Sequence, residues 1–166
     1  NKESPRTLAV SPEGEQIACG DRLGNLRVWR HACREGADRK PYELLYAAAA
    51  HDAEILSLDF TRAPAIKAAS ATSSCASDSD ESDLMHGFDS LLASGSRDRL
   101  IHILGSRSSV KKEHNKNDQY HLVQTLENHE SAVTAIKFSI DGERLFSCGS
   151  DGILALSRVQ CTDKLS

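Results

Sequence analysis

The sequence predicts an all-β fold assembled from a repeated unit of four short strands. Its apolar runs are four to eight residues long, rich in Leu, Ile, Val and Phe, and bounded by Gly, Asp, Pro and Ser. Runs of that length between turn residues are typical of strands, and no long stretch carries apolar residues at helical spacing. The same order of runs returns along the chain, which indicates a repeat architecture.

The first repeat is predicted at residues 5–48. A turn at Pro12–Glu15 separates its first two strands, and Pro and Gly stand there where turn geometry favours them. A second turn, Asp21–Asn25, and a polar loop at 31–41 complete the unit. The four predicted strands are Thr7–Ser11, Gln16–Gly20, Leu26–Trp29 and Glu43–Ala48.

A second repeat is predicted at residues 51–126 and an incomplete third at 129–160. The second again has four apolar runs, whereas the third has three and lacks the fourth. The predicted strands are Glu54–Phe60, Ser90–Gly95, Leu100–Leu104 and Tyr120–Leu126, followed by Ala132–Ser139, Arg144–Gly149 and Ile153–Val159.

Two insertions interrupt the second repeat, at 63–89 and 106–117. The first is rich in Ala, Ser and acidic residues, and we expect it to be disordered because it buries little apolar area. Within it, Ser77 precedes acidic residues and is a candidate phosphorylation site. Without these 27 and 12 residues, the 78 positions between His51 and His129 shorten to 39, close to the ~40–45 residues of a propeller blade.

The runs LLASG and LIHIL do not alternate apolar and polar residues, so both faces of their strands are expected to be covered. Blades of a β-propeller meet that requirement, since each sheet packs face to face on its neighbours around a ring. The prediction is therefore part of a propeller: two four-stranded blades and most of a third. A closed ring needs ~4–8 blades, so the first and last sheets are expected to be open at the ends.

The turn between LLASG and LIHIL contains Asp98, flanked by two arginines. A tight turn between buried strands points backbone N–H groups inward, and a carboxylate accepts hydrogen bonds from them. His51, in the loop before the repeat, is placed to donate to that carboxylate. A hydroxyl from Ser94 or Ser96 would complete the chain of hydrogen bonds.

The stretch HDAEILSLDF together with LLASGSRDRLIHIL resembles the WD repeat. The resemblance implies a buried tetrad of histidine, strand serine, turn aspartate and strand tryptophan. Leu104 and Ser157 stand where the second and third repeats would have tryptophan. In the first repeat, Leu23 stands at the turn position of the aspartate. The histidine of the first repeat is expected to precede the chain. The implied members are His51, Ser94 (Ser96 less favoured) and Asp98, then His129, Ser147 and Asp151, and Trp29 in the first repeat.

The segments SPEGEQIACGDRLGNLRVW, AHDAEILSLDF and QTLENHESAVTAIKF are similar to those of the mitogen-activated-protein-kinase-binding WD-repeat scaffolds, which bind c-Jun N-terminal kinase. The resemblance implies the second of two propellers in a non-enzymatic protein-binding scaffold. It implies a role in kinase signalling or in cytoskeletal and spindle organisation, and a location in the cytoplasm or at the spindle pole. A subunit of an RNA-processing or ribosome-assembly complex is the alternative.

Composition narrows the classes of partner. A net charge of −4 argues against nucleic-acid binding, which needs clustered Lys and Arg. No apolar run approaches the ~18 residues of a membrane span. The five cysteines include no CxxC pair, so neither a zinc site nor another cofactor is expected. Cys19 and Cys148 lie in apolar runs and are predicted to be buried. This use of cysteine is typical of a reduced, intracellular protein.

A Ser, His and Asp within reach of one another also invite a hydrolase interpretation. It is disfavoured because Ser94 lies inside a strand, no Gly-x-Ser-x-Gly elbow surrounds it, and no oxyanion hole is evident. The remaining functional feature is the surface formed by the turns, where Arg22, Arg97 and Arg99 are the predicted partner contacts. The alternative is that they are solvated or pair with Asp52 and Glu54.

Overall fold

A computed structural model of the chain describes residues 4–31, 42–62, 88–106 and 119–159. This part of the chain is all-β, as predicted, and it contains no helix that could cross a membrane. The strands are β1 (Pro5–Val10), β2 (Gln16–Asp21), β3 (Asn25–His31), β4 (Tyr42–Ala49), β5 (Ile55–Arg62), β6 (Ser90–Ser96), β7 (Ile101–Ser106), β8 (Tyr120–Leu126), β9 (Val133–Phe138), β10 (Arg144–Gly149) and β11 (Leu154–Arg158).

The strands form three antiparallel sheets in chain order: β1-β2-β3-β4, β5-β6-β7-β8 and β9-β10-β11. Each predicted run contains a strand, with ends that shift by a few residues. Ser106 belongs to β7 rather than to the second insertion, and Asp89 donates its N–H to the Ser106 carbonyl at 2.8 Å, so the first insertion ends earlier than predicted. Residues 63–87, with the candidate phosphorylation site Ser77, and 107–118 lie outside the described part of the chain.

The middle sheet is covered on both faces, which explains the missing alternation in β6. All seven residues of this strand are buried. Its neighbouring leucines point to opposite faces: Leu92 packs against the first sheet with Leu26 and Val28, and Leu91 packs against the third sheet with Leu145. A run of consecutive apolar residues is therefore what a strand between two sheets requires.

Glycine allows the close approach of neighbouring sheets at matching positions of β2 and β6. A Cβ placed on Gly20 would lie 2.7 Å from the Ile55 side chain, and one on Gly95 would lie 2.9 Å from the Val133 side chain. Ile55 and Val133 each open the first strand of the following sheet. The two interfaces are therefore built alike, as expected for repeats.

The outer faces of the first and third sheets carry the same kinds of residue that are buried between sheets. Leu8 is 60% exposed, whereas its counterpart in the middle sheet, Leu58, is 7% exposed. Leu154 is 75% exposed, whereas its counterpart Ile101 is fully buried. Both ends of the three-sheet arc thus present apolar packing faces, which agrees with the predicted partial propeller.

A polar contact also joins the inner strands of the second and third sheets. The buried Asp59 of β5 accepts a hydrogen bond from the Phe138 backbone N–H at 2.7 Å and pairs with the exposed Lys137 ammonium at 2.5 Å. On the same strand, Ser57 Oγ accepts from the Ile136 N–H at 3.1 Å. These side chains satisfy backbone donors of β9 from the neighbouring sheet.

The turn between β6 and β7 contains Arg99, the one described non-glycine residue with a positive φ, 77°. The corresponding turns of the other sheets have Gly24 at 83° and Gly152 at 78°. A side chain in the left-handed region costs about 1–2 kcal/mol per residue. Arginine at this position is therefore strained relative to its two glycine counterparts.

Replacing Arg99 with glycine is expected to raise the free energy of unfolding by about 1 kcal/mol, because the strain is removed. Gly152→Arg is the reciprocal control: a Cβ there meets no atom within 4 Å, so only the backbone conformation is penalised, and we expect a loss of similar size. Urea unfolding of the two variants measures both changes. Equal stability of all three proteins would contradict the strain assignment.

Candidate functional site

A chain of buried hydrogen bonds joins the loop before β5 to the β6–β7 turn. His51 Nδ1 lies 2.9 Å from Asp98 Oδ2, and His51 Nε2 lies 2.8 Å from Ser94 Oγ. The carboxylate also accepts from two backbone N–H groups, that of Asp52 at 3.1 Å and that of Leu100 at 3.0 Å. Asp98 thus ties the turn to the preceding loop.

The third sheet repeats this arrangement. His129 Nδ1 lies 3.0 Å from Asp151 Oδ2, and His129 Nε2 lies 2.9 Å from Ser147 Oγ. The N–H groups of Glu130 and Ile153 donate to the Asp151 carboxylate at 3.0 and 2.9 Å. The structure therefore brings together both sets of three residues chosen from the sequence.

Ser94, rather than Ser96, makes the contact with the imidazole. Ser96 Oγ instead accepts from the Asp98 N–H at 3.2 Å and donates to the Ala53 carbonyl at 3.1 Å. Both serines are buried within β6. Since Asp98 accepts the Nδ1 proton of His51, the Nε2 atom accepts from Ser94, and the hydroxyl is held inside the sheet interface.

A second imidazole lies on this group. The rings of His51 and His102 stack with centroids 4.2 Å apart and an angle of 15° between their planes. Burial lowers the pKa of His51, and the attraction of Asp98 offsets this only in part. Burial and then the neighbouring His51 lower the pKa of His102, so both rings are neutral near pH 7.

The carboxylates of both groups favour their charged form. Burial raises the pKa of Asp98, but the hydrogen bond from Leu100 and the interaction with His51 together lower it by more, so the pKa lies below its usual value. In the third sheet, the hydrogen bond from Ile153 is the largest cause that lowers the pKa of Asp151. Both acids therefore remain charged acceptors at neutral pH.

The stacked histidines predict a loss of stability in mild acid. The unfolded chain binds protons on both imidazoles below about pH 6.5, whereas the folded chain with its lowered pKa values does not, so unfolding is favoured as the pH falls from 6.5 toward 5. Urea unfolding across this range measures the slope.

His102→Gln is the matched variant, since it removes one of the two protons from the linkage. Its pH dependence should be shallower by up to about 1.4 kcal/mol per pH unit. The carboxylates with lowered pKa values are present in both proteins, so their contribution cancels when the two slopes are compared. An unchanged slope in the variant would show that the stacked pair does not cause the acid sensitivity.

Arginines from two sheets meet at Glu54, which precedes β5. Arg6 Nε lies 2.8 Å from Glu54 Oε1, Arg22 Nε lies 3.7 Å from the same oxygen, and Arg97 Nη2 lies 3.0 Å from Oε2. We call Arg6, Arg22 and Arg97 the arginine cluster. The hydrogen bond from Arg6 is the largest cause that lowers the pKa of Glu54, with burial opposing it.

Two of the three predicted partner contacts, Arg22 and Arg97, are therefore ion-paired to Glu54, the alternative that the sequence left open. Their side chains nevertheless remain 63% exposed. Arg99 is exposed, and no ion pair of its side chain is found in the described part of the chain.

The thiols are less buried than predicted. Cys19 and Cys148 are both half-buried, and neither is in a disulfide bond. Burial raises the pKa of Cys19, so its thiol is protonated at neutral pH. Within the described ranges, no group of His, Cys, Asp and Glu is arranged to hold a metal ion.

Comparisons with known proteins bear on this geometry. The family model described as WD domain, G-beta repeat matches residues 120–156. WD repeat-containing protein 62 of Sus scrofa is 36% identical over 167 residues, which cover 99% of this chain and 8% of that protein. Mitogen-activated protein kinase-binding protein 1 of Homo sapiens is 36% identical over 148 residues, which cover 88% of this chain and 7% of that protein.

The chain belongs to the WD-repeat family. It spans less than a tenth of the length of these relatives. Among solved structures, Chaetomium thermophilum Sqt1 bound to the N-terminus of ribosomal protein L10 matches with a TM-score of 0.65 at 18% identity, over 95% of this chain and 33% of that one. U3-55K matches with a TM-score of 0.58 at 20% identity, over 94% and 34% of the two chains. These two likenesses concern the WD-repeat fold alone.

The first WD repeat departs from the tetrad. The position of its histidine lies outside the described residues. Trp29 lies half-buried on the open face of the sheet, beside Ile17 in register, and its indole joins no tetrad among the described residues.

In the first repeat, where Leu23 stands at the turn position of the tetrad aspartate, Asp21 accepts the hydrogen bonds of the turn backbone instead. Its Oδ1 accepts from the backbone N–H groups of Leu23 at 2.8 Å and Asn25 at 2.9 Å, and its Oδ2 accepts from Asn25 Nδ2 at 2.8 Å. Asp21 is buried, so it does not belong to the exposed surface of the turns. The available signal was an aspartate followed by a Gly-Asn turn, which favours such local acceptance.

Proposed function

We propose that this WD-repeat segment is a non-catalytic platform for protein–protein contacts in a cytoplasmic scaffold of mitogen-activated protein kinase signalling. The observation that supports the non-catalytic part is that the serine and histidine of both Ser-His-Asp groups are buried, and that all three members are engaged in hydrogen bonds with one another and with the turn backbone. Each serine hydroxyl is held by an imidazole within a sheet interface, and each carboxylate is held by turn N–H groups. A nucleophile needs access to a substrate carbonyl, which a buried strand position denies it.

The exposed turns between strands are therefore the surface that we assign to partner binding. They carry charged side chains fixed by a rigid scaffold, which is the usual location of binding residues. The kinase assignment comes from the similarity to the human relative, whose name states that it binds mitogen-activated protein kinase. Because the chain spans only 7% of that relative, the kinase contact is assigned to the whole protein rather than to these sheets.

Co-elution of the purified full-length protein with purified c-Jun N-terminal kinase in size-exclusion chromatography tests the kinase assignment. We expect a shared peak that neither protein gives alone. Separate elution at micromolar concentrations of both proteins would contradict it.

The non-catalytic assignment has its own test. Hydrolysis of a simple activated ester is measured for the full-length protein and for Ser94→Ala. We expect no turnover that depends on Ser94. A serine-dependent rate above background would overturn this part of the proposal.

A further inference from the structure

We propose that the arginine cluster and Leu23 form a docking surface for an acidic peptide segment of a partner protein, in which carboxylates flank an apolar side chain. This inference rests on the proposed protein-binding function and specifies the chemistry of the partner. The surface is made by the β2–β3 turn, the β6–β7 turn, the start of β1 and the residue before β5.

The cluster has more cationic groups than it can neutralise. Three guanidinium groups share the single carboxylate of Glu54, whose side chain is only 12% exposed, whereas the three arginines are 48–63% exposed. Each guanidinium carries five N–H donors in a planar fork suited to carboxylates. Among the described residues, these three side chains have no carboxylate partner other than Glu54, so donors that Glu54 does not engage are available to an incoming acid.

Exposed cationic groups predominate around the cluster. Arg99 adds a fourth exposed guanidinium, and Asp52 adds an exposed carboxylate. Asp21 and Asp98 also carry negative charge, but their side chains are only 2% and 11% exposed, and Asp21 pairs with Arg27 at 3.6 Å. Exposed guanidinium groups therefore outnumber exposed carboxylates at this junction of the first two sheets.

The cluster is also held in place before any partner binds. Arg6 and Arg22 belong to the first sheet and Glu54 to the second, so their two ion pairs join the sheets, while Arg97 pairs with Glu54 within the second sheet. Side chains fixed in advance lose less conformational entropy on binding than free ones. Such preorganisation favours a defined docking surface over a diffuse electrostatic attraction.

Leu23 supplies the apolar component. It follows Arg22 in the turn and is 50% exposed. The corresponding positions of the other two sheets carry Asp98 and Asp151, which bond to histidine and to the turn backbone. Since Asp21 satisfies the backbone of the first turn, Leu23 has no role in closing it. The position therefore replaces a negative charge by an exposed apolar group next to the arginines, and a partner with acidic and apolar side chains matches both features.

Fluorescence anisotropy on the full-length protein tests the proposal. The probe is a fluorescein-labelled peptide of repeated Glu-Leu-Asp-Gly units, and its control has repeated Gln-Leu-Asn-Gly units. We expect the acidic probe to bind, to weaken as ionic strength rises, and to bind at least about tenfold more tightly than the amide control, equivalent to about 1.4 kcal/mol. Equal binding of the two peptides would overturn the proposal.

Substitutions locate the binding surface. The double variant Arg22→Gln with Arg97→Gln should weaken the acidic probe about tenfold, and Leu23→Asp should weaken it as well. Arg158→Gln, an exposed arginine of β11 outside the cluster, is the matched control and should leave the affinity unchanged. Equal weakening by Arg158→Gln would reduce the effect to net charge and contradict a specific surface.

Glu54→Gln separates binding from a purely structural role. Removing the competing carboxylate raises the net charge of the surface, so we expect tighter binding of the acidic probe, the opposite of the arginine variants. Weaker binding would mean that the cluster only joins the two sheets. Co-elution with the kinase is measured on the same variants: if it persists while the peptide fails to bind, the docking surface is wrong and the proposed scaffold function stands.

Discussion

Replacing Asp98 with alanine is expected to lower the free energy of unfolding by about 3 kcal/mol. The substitution leaves His51 Nδ1 and the N–H groups of Asp52 and Leu100 without their acceptor. Each buried donor that loses its partner costs about 1–3 kcal/mol, with partial relief by water at the rim of the turn. Urea unfolding monitored by circular dichroism gives the loss directly.

Asp52→Ala is the control for this substitution, because the tetrad uses the Asp52 backbone and not its exposed side chain. We expect a change within about 0.5 kcal/mol. A double-mutant cycle with His51→Ala should show strong non-additivity, since the two side chains act through one hydrogen bond. Stability that is unchanged by Asp98→Ala would remove the basis for assigning this group a structural role.

Replacing Asp59 with alanine is expected to cost about 2–3 kcal/mol. The buried carboxylate accepts from the Phe138 N–H, and hydrogen bonds to charged groups contribute about 1.5–3 kcal/mol. The Lys137 partner adds little, because its side chain is 77% exposed and an exposed ion pair contributes about 0–1 kcal/mol. Faster hydrogen–deuterium exchange of the peptide that contains Phe138 should accompany the loss.

Two variants separate the stabilisation due to the Phe138 hydrogen bond from that due to the Lys137 ion pair. Asp59→Asn keeps a side-chain oxygen for the Phe138 N–H and should lose less than half as much stability, while Lys137→Gln should be nearly neutral. If Lys137→Gln costs as much as Asp59→Ala, the ion pair rather than the backbone hydrogen bond links the second and third sheets.

Local patterns in the sequence predicted strand type, order and repeat length well. The reason is that a run of four to eight apolar residues between turn residues has few alternatives to a strand. The failure of LLASG to alternate indicated a strand covered on both faces, and the opposite placement of Leu91 and Leu92 confirms that interpretation. The strand ends shifted because backbone pairing, rather than hydropathy, decides where a ladder stops.

Polar residues in the turns were harder to assign. Asp21 and Asp98 both lie in turns between apolar strands, yet the sequence interpretation gave a structural role to Asp98 alone, whereas Asp21 is also buried against its own turn. Glu54 looked like one surface acid among several, yet three arginines from separate parts of the chain converge on it. Contacts over such separations depend on how two sheets pack.

The sequence by itself determined the all-β class and the repeat, because both follow from spacing and residue type, and the resemblance to the WD repeat implied the members of both histidine-centred groups. Tertiary structure alone decided which residues distant in the chain meet: the Asp59 contact to β9, the stacked imidazoles and the arginine cluster. The packing of the chain sets the distance between groups that lie far apart in the sequence. That distance, together with burial, decides whether a charged side chain forms a structural ion pair or stays exposed to a binding partner.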